Sequence, residues 1–327
     1  SKEAYDAGAR YQSDPLPQIY TYEGLMALYN QRKITESEFV RHMERLETCN
    51  TDWFDLLTRN SFSHNHNLSI SGGSEKTNYN ASFGYNSSRG IEIGDQLRQF
   101  TTRLNINSQL LESLRVSFNM NATLGNRDGY GPNVSPMSYA TNTSRSIPAF
   151  DENGDPVFYK EYGSYTWNGL EGNSIEYSYN FMNEFENSYS KNKSTRFSAT
   201  LNLDWDVTDW LRYSLVGGIS SNSNNSDSYA GEKTTYIARN FRGYDYGSEK
   251  PNSDKFNAAM LPYGGQLTTS TINSVNYNMQ HKLSISRTFN DIHRLNAMLA
   301  VEISSNVNKN NTNSVWGYVP ERGEILV

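Results

Sequence analysis

The sequence predicts an all-β protein: a segment of an antiparallel transmembrane β-barrel with long extracellular loops. Three observations support this prediction, namely recurrent alternation of apolar and polar residues, strands of about ten residues, and strict alternation of short and long connections. The composition agrees with it. Aromatic residues make up 13% of the chain although hydrophobic residues reach only 36%, which is too little for the continuous apolar strands of a soluble α/β enzyme.

Period-2 alternation is the strongest of these signals. In residues 114–124, Leu114, Val116 and Phe118 share one face of an extended strand, and the residues between them are polar. Such alternation places the apolar side chains on one side of a sheet. It recurs in eight segments, which we predict to be strands: 62–71, 77–86, 100–108, 114–124, 196–206, 211–220, 275–287 and 293–304.

Strand length and loop length favour a membrane barrel over a soluble sandwich. About ten residues that rise roughly 3.3 Å each and tilt near 40° cover roughly 25 Å, the height of an outer-membrane apolar band. Outer-membrane barrels also have short periplasmic turns and long extracellular loops. The chain shows this alternation, with short turns at 72–75, 109–113, 208–209 and 290–291 and longer connections at 87–96, 125–193 and 221–271.

Aromatic residues at strand ends agree with a membrane interface, where an apolar ring and a polar edge each meet a suitable solvent. The sequence predicts such interface positions for Trp205, Trp210, Tyr213 and Phe289.

Histidines interrupt the predicted lipid-facing side of the sheet. His64 and His66 are expected near the outer interface. His281 falls well inside its strand, which suggests a bulge or a change of register there.

The first 60 residues differ from the rest of the chain. Thr35 and Glu38 form the sequence pattern of a capping box, and apolar residues follow at helical spacing. The pattern predicts a short amphipathic helix over 36–48. We therefore divide the chain into an irregular segment with one helix at 1–60, extracellular or lumenal, and strands and loops at 61–327.

Composition and motifs argue against several other classes of protein. The net charge of −6 is spread along the chain, whereas nucleic-acid binding needs a clustered basic face. The single Cys49 excludes an internal disulfide framework. No nucleophile elbow, phosphate loop or zinc signature is present. We predict neither enzyme activity nor a cofactor.

Two short patterns could hold a metal ion, but each has a simpler interpretation. Asp151, Asn153 and Asp155 are spaced like the start of a calcium loop, yet an Asn-Gly sequence between two aspartates is also an ordinary turn signal. His64 and His66 share one strand face without a third ligand nearby in sequence. We favour a turn for the first pattern and interfacial polar residues for the second, so no metal site is predicted.

Residues 51–107 carry a specific resemblance. The run from Asn65 to Ser74 (NHNLSISGGS) is followed by Asn78-Tyr79 and by Ala81 to Tyr85 (ASFGY). This hairpin, together with Thr51-Asp52-Trp53, Gly90-Ile91 and Arg103 to Asn107 (RLNIN), resembles the SusC/RagA family of TonB-dependent outer-membrane transporters. Beyond about residue 125 the similarity is confined to the rhythm of strands and loops and to Asp-Trp-Leu at 209–211.

The resemblance implies a 22-stranded barrel that is closed by an N-terminal plug. It also implies energy coupling to TonB, a SusD-like surface lipoprotein over the barrel mouth, and import of an oligomeric nutrient, a glycan or a peptide, through the outer membrane of a Gram-negative bacterium. The chain has no matching plug and strands for well under half of such a barrel. An open sheet would leave unpaired edges in outer-membrane lipid, so we expect a piece of a longer polypeptide.

Loop aromatics are the candidate substrate contacts, because flat rings stack on sugar faces. They are Tyr162, Tyr165 and Trp167 in one long connection and Tyr244 and Tyr246 in the other. The alternative role is packing of the loops against each other. A second interpretation of the whole chain also remains open, that of a soluble or surface-attached β-rich carbohydrate-binding module.

Overall fold

An antiparallel meander of eight strands forms the framework of the molecule. The computed structural model describes residues 20–164 and 174–322, and in this part the sheet order is β1-β2-β3-β4-β7-β8-β9-β10, while β5 and β6 form a separate hairpin. All eight predicted strands are confirmed. The strands are β1 (Phe62–Gly73), β2 (Thr77–Arg89), β3 (Gln96–Leu111), β4 (Leu114–Gly129), β5 (Tyr159–Ser164), β6 (Ser174–Tyr179), β7 (Ser188–Thr208), β8 (Leu211–Ala230), β9 (Gly265–Phe289) and β10 (His293–Tyr318).

Short helices occupy the N-terminal segment and the long connections. They are α1 (Tyr22–Asn30), α2 (Glu36–Thr48), α3 (Trp53–Leu57), α4 (Pro136–Asn142), α5 (Phe181–Glu186), α6 (Thr235–Ile237), which continues as a π-helical turn at Ala238–Arg242, and α7 (Asp254–Ala258), with a 3-10 turn at Pro320–Arg322.

The predicted helix over 36–48 is confirmed as α2. Its capping box is complete, because the Glu38 backbone N–H donates to Thr35 Oγ1 at 3.3 Å and the Thr35 backbone N–H donates to Glu38 Oε2 at 2.8 Å. Among the described residues, no helix is long and apolar enough to cross a membrane.

Most strands extend further than the alternation predicts, chiefly at the end of the sheet that carries the long loops. β7 has 21 residues, and β9 and β10 have 25 and 26. In these extensions most residues on both faces are polar, so the regular alternation disappears while backbone pairing continues. Hydroxyl pairs such as Thr268 with Ser314, at 3.0 Å, connect the strands there. The long connections are consequently shorter than predicted, at 90–95, 130–187 and 231–264.

Strand register gathers the apolar residues of all eight strands on one face. Directly opposed residues of antiparallel strands point to the same side of the sheet. One row of partners therefore crosses the whole sheet: Ile70, Ala81, Leu104, Met120, Ala199, Ile219, Tyr277 and Ser305. We call this side the apolar face and the other side the polar face.

The apolar face has a limited height. On β7 it runs from Phe197 to Trp205, and the same side carries Thr195 and Lys193 further towards the long loops. About nine residues, at roughly 3.3 Å each and with a barrel tilt, correspond to a band of roughly 25 Å. The strands thus combine an apolar band of membrane height with a polar extension beyond it.

His281 does not lie at a bulge, and that expectation was wrong. β8 and β9 stay in register throughout, with Leu215 opposite His281, and the imidazole lies on the apolar face. The Tyr213 hydroxyl and His281 Nδ1 form a hydrogen bond of 2.7 Å. Because this bond satisfies a polar group that the apolar face would otherwise leave without a partner, no change of register is needed.

The Tyr213 to His281 bond yields a prediction. Tyr213→Phe removes one partner and leaves a polar atom without a hydrogen bond on the apolar face, at a cost of about 1–3 kcal/mol. We expect a lower denaturant midpoint of unfolding for the full-length importer refolded in lipid vesicles. The double variant Tyr213→Phe with His281→Leu, which removes both partners, is expected to regain most of the loss. A double variant that is less stable than Tyr213→Phe would contradict this role.

Candidate functional site

The long connections fold into a core of their own beyond the end of the sheet. Eight buried residues form it: Trp53, Leu57, Val134, Ala140, Ile147, Ala149, Tyr159 and Phe181. Tyr139 stacks on Phe181 with ring centroids 4.5 Å apart and meets Trp53 edge to face at 4.9 Å. We call this cluster the loop core. Its aromatic residues pack against each other between the first long connection and the N-terminal segment.

The N-terminal segment is anchored to the loop core. Trp53 Nε1 donates to the Ser144 carbonyl oxygen at 3.2 Å, and an ion pair of 2.8 Å joins Arg145 to Asp52. The Arg59 guanidinium donates to the carbonyl oxygens of Gly90 and Asp95. The described part of residues 1–60 therefore lies at the long-loop end of the sheet.

A buried carboxylate joins the two longest connections. Glu184 lies in α5 and is only 4% exposed. The Thr235 backbone N–H donates to Glu184 Oε1 at 2.7 Å. Burial raises the pKa of Glu184, and the hydrogen bonds from Thr235 only partly oppose this. Glu184 therefore caps the start of α6 from another loop.

A second carboxylate makes a parallel link. The Ser178 backbone N–H donates to both carboxylate oxygens of Asp245, at 3.0 Å each, and Lys160 Nζ lies 3.9 Å from Asp245 Oδ2. The Thr235 hydroxyl also donates to the Ser178 carbonyl oxygen at 3.1 Å. These contacts fix residues 231–264 against the β5–β6 hairpin.

A cleft of about 340 Å³ lies between these linked loops. Its lining combines two aromatic rings with hydroxyl, amide and charged groups, from Phe158, Ser178, Asn183, Lys233, Thr234, Thr235, Ala238, Asp245 and Tyr246. Among them, only Tyr246 is predicted from the sequence. Apart from its neighbour Asp245, the lining residues come from other stretches of sequence, and no local pattern marks their convergence.

The two predicted contacts of the second connection differ in accessibility. Tyr244 is 7% exposed and Tyr246 is 51% exposed. The buried Arg242 guanidinium lies 5.9 Å from the ring centroid of Tyr244 and 5.5 Å from that of Tyr246. Of this pair, only Tyr246 lines the cleft, while Tyr244 is buried.

The predicted contacts of the first connection are only partly described. Tyr162 lies in β5, where its backbone pairs with Glu176 of β6. Tyr165 and Trp167 lie outside the described residues.

The predicted interface aromatics gather at the short-turn end of the sheet. Trp205 and Tyr213 are direct partners on neighbouring strands. Trp210 and Phe289 flank Arg287, whose guanidinium lies 5.4 Å and 5.1 Å from their ring centroids. Their role at a membrane interface stays a prediction.

The calcium-like pattern forms a turn. Asp151 Oδ1 accepts hydrogen bonds from the backbone N–H groups of Asn153 and Asp155, at 2.8 Å and 2.9 Å. Across residues 20–164 and 174–322, no group of three or more His, Cys, Asp or Glu side chains is arranged to hold a metal ion.

The chain is similar in sequence to TonB-dependent receptors. It is 32% identical over 124 residues to the TonB-dependent receptor SusC of Bacteroides thetaiotaomicron, a match covering 38% of this chain and 12% of SusC. It is 26% identical over 243 residues to the TonB-dependent receptor P3 of Formosa agariphila, covering 72% of this chain and 22% of that receptor. The matches thus span 12% and 22% of these relatives' lengths. No family model matches the chain.

The fold is similar to part of a solved transporter. The structure of the RagAB peptide transporter matches 85% of this chain and 28% of its own, with a TM-score of 0.58 and 18% identity. At this identity the likeness concerns the fold alone. The matches confirm the predicted resemblance to SusC/RagA proteins and the predicted fold class, an antiparallel segment of a β-barrel.

The Glu184 link yields a pH-dependent prediction. Burial raises the pKa of Glu184 above its ordinary value of 4.5. The Glu184 carboxyl group therefore binds a proton more tightly in the folded loops than in the unfolded loops. Stability of the link should therefore increase as pH falls from the raised pKa towards 4.5, and decrease as pH rises. We expect stronger hydrogen-exchange protection of the Thr235 amide at pH 5.5 than at pH 7.5, after correction for intrinsic rates.

Glu184→Gln keeps an acceptor for Thr235 but cannot titrate, so this pH dependence should disappear. Glu186→Gln, at an exposed position of the same helix, serves as the control and should behave like the unmodified protein. A pH dependence that persists in Glu184→Gln would contradict the assignment.

Proposed function

We propose that this chain forms part of the wall and outer loops of a TonB-dependent importer in the outer membrane of a Gram-negative bacterium. The observation that carries the proposal is the continuous apolar face across eight strands in register. On this view the apolar face meets lipid, the polar face lines the lumen, and residues 20–60 lie with the long loops on the extracellular side.

Exposure of the apolar face favours a membrane barrel over a soluble carbohydrate-binding module. A soluble sandwich buries such a face against a second sheet. Within the described ranges, Leu68, Phe83 and Leu299 on this face are 60%, 50% and 64% exposed, and the one other sheet is the two-stranded β5–β6 hairpin. A face of this size needs lipid or detergent to cover it.

The substrate we propose is an oligomeric nutrient, with glycans as the first candidate. The cleft offers the exposed Tyr246 ring beside hydroxyl and amide groups, a combination that suits stacking on a sugar face and hydrogen bonding to its hydroxyls. Peptides are the second candidate, because the similar solved structure is that of a peptide transporter.

The partners we propose follow from the relatives. TonB would supply energy through parts of the importer outside this chain, as the relatives' name of TonB-dependent receptor suggests. A SusD-like lipoprotein would cover the loops at the extracellular end. The relatives are named as receptors and transporters, so we propose no enzyme activity.

The proposal is tested by uptake of fluorescent oligosaccharides and oligopeptides into cells with and without the full-length importer that contains this chain, in backgrounds with and without TonB. Uptake that requires both proteins is expected. Recovery of the protein from the soluble fraction, without TonB-dependent uptake of any oligomer, would overturn the proposal.

Tyr246 provides the specific prediction for the cleft. Tyr246→Ala removes the exposed ring, and an aromatic contact contributes roughly 0.5–1.5 kcal/mol, or about 2- to 12-fold in affinity. We expect a loss in this range in substrate titrations of the purified importer. Tyr263→Ala removes an equally exposed loop tyrosine (57% exposed) that does not line the cleft, and should leave affinity unchanged. Equal losses in both variants would contradict the site.

A further inference from the structure

The polar face is almost free of charge over four successive rows of residues. Each row consists of eight directly opposed residues, one from each strand of the sheet. The first row runs from Ser71 of β1 to Ser304 of β10 and the fourth from Asn65 to Asn310, so the four rows contain 32 positions. Of these positions, 26 are Asn, Gln, Ser or Thr. Only two are charged, Arg103 and Arg196, although charged residues make up 20% of the chain.

The two arginines are close neighbours on this face. Arg103 lies opposite Asn121 of β4, which lies opposite Ser198 of β7, and Arg196 is two residues along β7 from Ser198. Two strand spacings and two residues place the Cα atoms roughly 12 Å apart. Because an arginine side chain is long, both guanidinium groups can reach one acidic group held above Asn121 and Thr123.

Three other arginines of the polar face have carboxylate partners. Arg115 and Arg212 both contact Asp206 near the short turns, and Arg127 pairs with Asp95 at the long-loop end. In the part of the chain that the structure describes, Arg103 and Arg196 have no carboxylate within ion-pair distance, and both side chains are exposed. Among the described residues, the middle of the polar face therefore carries two cations without a carboxylate partner, in otherwise neutral, hydrogen-bonding surroundings.

This arrangement defines the chemistry of a ligand. Guanidinium groups bind carboxylates and sulfates through paired hydrogen bonds and carry a charge at all physiological pH values. The surrounding amides and hydroxyls suit a ligand that is rich in hydroxyl groups but otherwise uncharged. Both rows lie at the depth of the apolar band, since Leu104 and Phe197 are the sequence neighbours of the two arginines on the opposite face.

We infer that Arg103 and Arg196 form a binding site for the acidic groups of the transported oligomer, the carboxylates or sulfates of an acidic oligosaccharide. This inference rests on the proposed function and narrows its substrate class. The site lies on the wall of the barrel, away from the loop cleft around Tyr246.

The test uses the full-length importer and pairs of oligosaccharides that differ only in their acidic groups. One pair is hexagalacturonate and its methyl ester, and another is a sulfated carrageenan hexasaccharide and its desulfated form. We expect at least one acidic member to bind at least tenfold more tightly than its neutral counterpart. The double variant Arg103→Gln with Arg196→Gln should remove this difference without changing affinity for the neutral member.

Two further variants separate charge from structure. Arg103→Lys with Arg196→Lys keeps both charges and should restore part of the preference for the acidic member. Arg98→Gln alters an arginine on the opposite side of β3, where it pairs with Asp128 at 3.0 Å, and should leave the preference unchanged.

Three results would overturn the inference: no acidic member binds, acidic and neutral members bind equally, or the Gln variants lose both members alike, as would follow if the arginines held another part of the polypeptide. TonB-dependent uptake of neutral oligomers without acid preference would reject this inference alone. Absence of TonB-dependent uptake of any oligomer would reject the proposed function as well.

Discussion

Backbone hydrogen bonding between neighbouring strands, in one register across the sheet, is the constraint on which the rest of the structure depends. In a membrane, every backbone N–H and carbonyl group must find a partner within the protein. A slip of one residue between two strands would also exchange their faces. At Phe118 opposite Leu201, for example, a slip would place an apolar side chain against Asn202. The single register satisfies both requirements, because it pairs the backbone and keeps the apolar face continuous.

The same pairing supports the loops. Beyond the apolar band, on the side of the long loops, the strands continue to pair through their backbones, so the loops begin at the ends of paired strands. The loop core around Trp53 and Phe181 packs there. Two carboxylates, Glu184 and Asp245, each accept a hydrogen bond from a backbone N–H group of the other long connection. The cleft depends on these long-range links, because hydrogen bonds between the connections join its lining residues: Ser178 bonds to Asp245 and Thr235, and Asn183 bonds to Lys233.

Local patterns made much of this predictable. The alternation in 196–206 gave the position and facing of β7, and Thr35 with Glu38 marked the start of α2, because these signals need only neighbouring residues. The ends of the strands were not predicted, because most residues there are polar on both faces of the sheet and the alternation is lost. The partner of His281 was missed because Tyr213 lies on another strand, 68 residues away. Phe158 and Ser178 join Tyr246 in one cleft through tertiary contacts between two connections, which no short stretch of sequence encodes.

The most direct test of the two-faced sheet is site-directed spin labelling along β7 in lipid vesicles. Single cysteines at positions 196 to 206, in a Cys49→Ser background of the full-length protein, would carry the label. Collision rates with oxygen, which concentrates in lipid, and with a water-soluble nickel chelate would be measured at each position. We predict opposite period-2 alternation, with oxygen contact highest at 197, 199, 201, 203 and 205 and nickel contact highest at the positions between them. Nickel contact that is equally high at both sets of positions would contradict it.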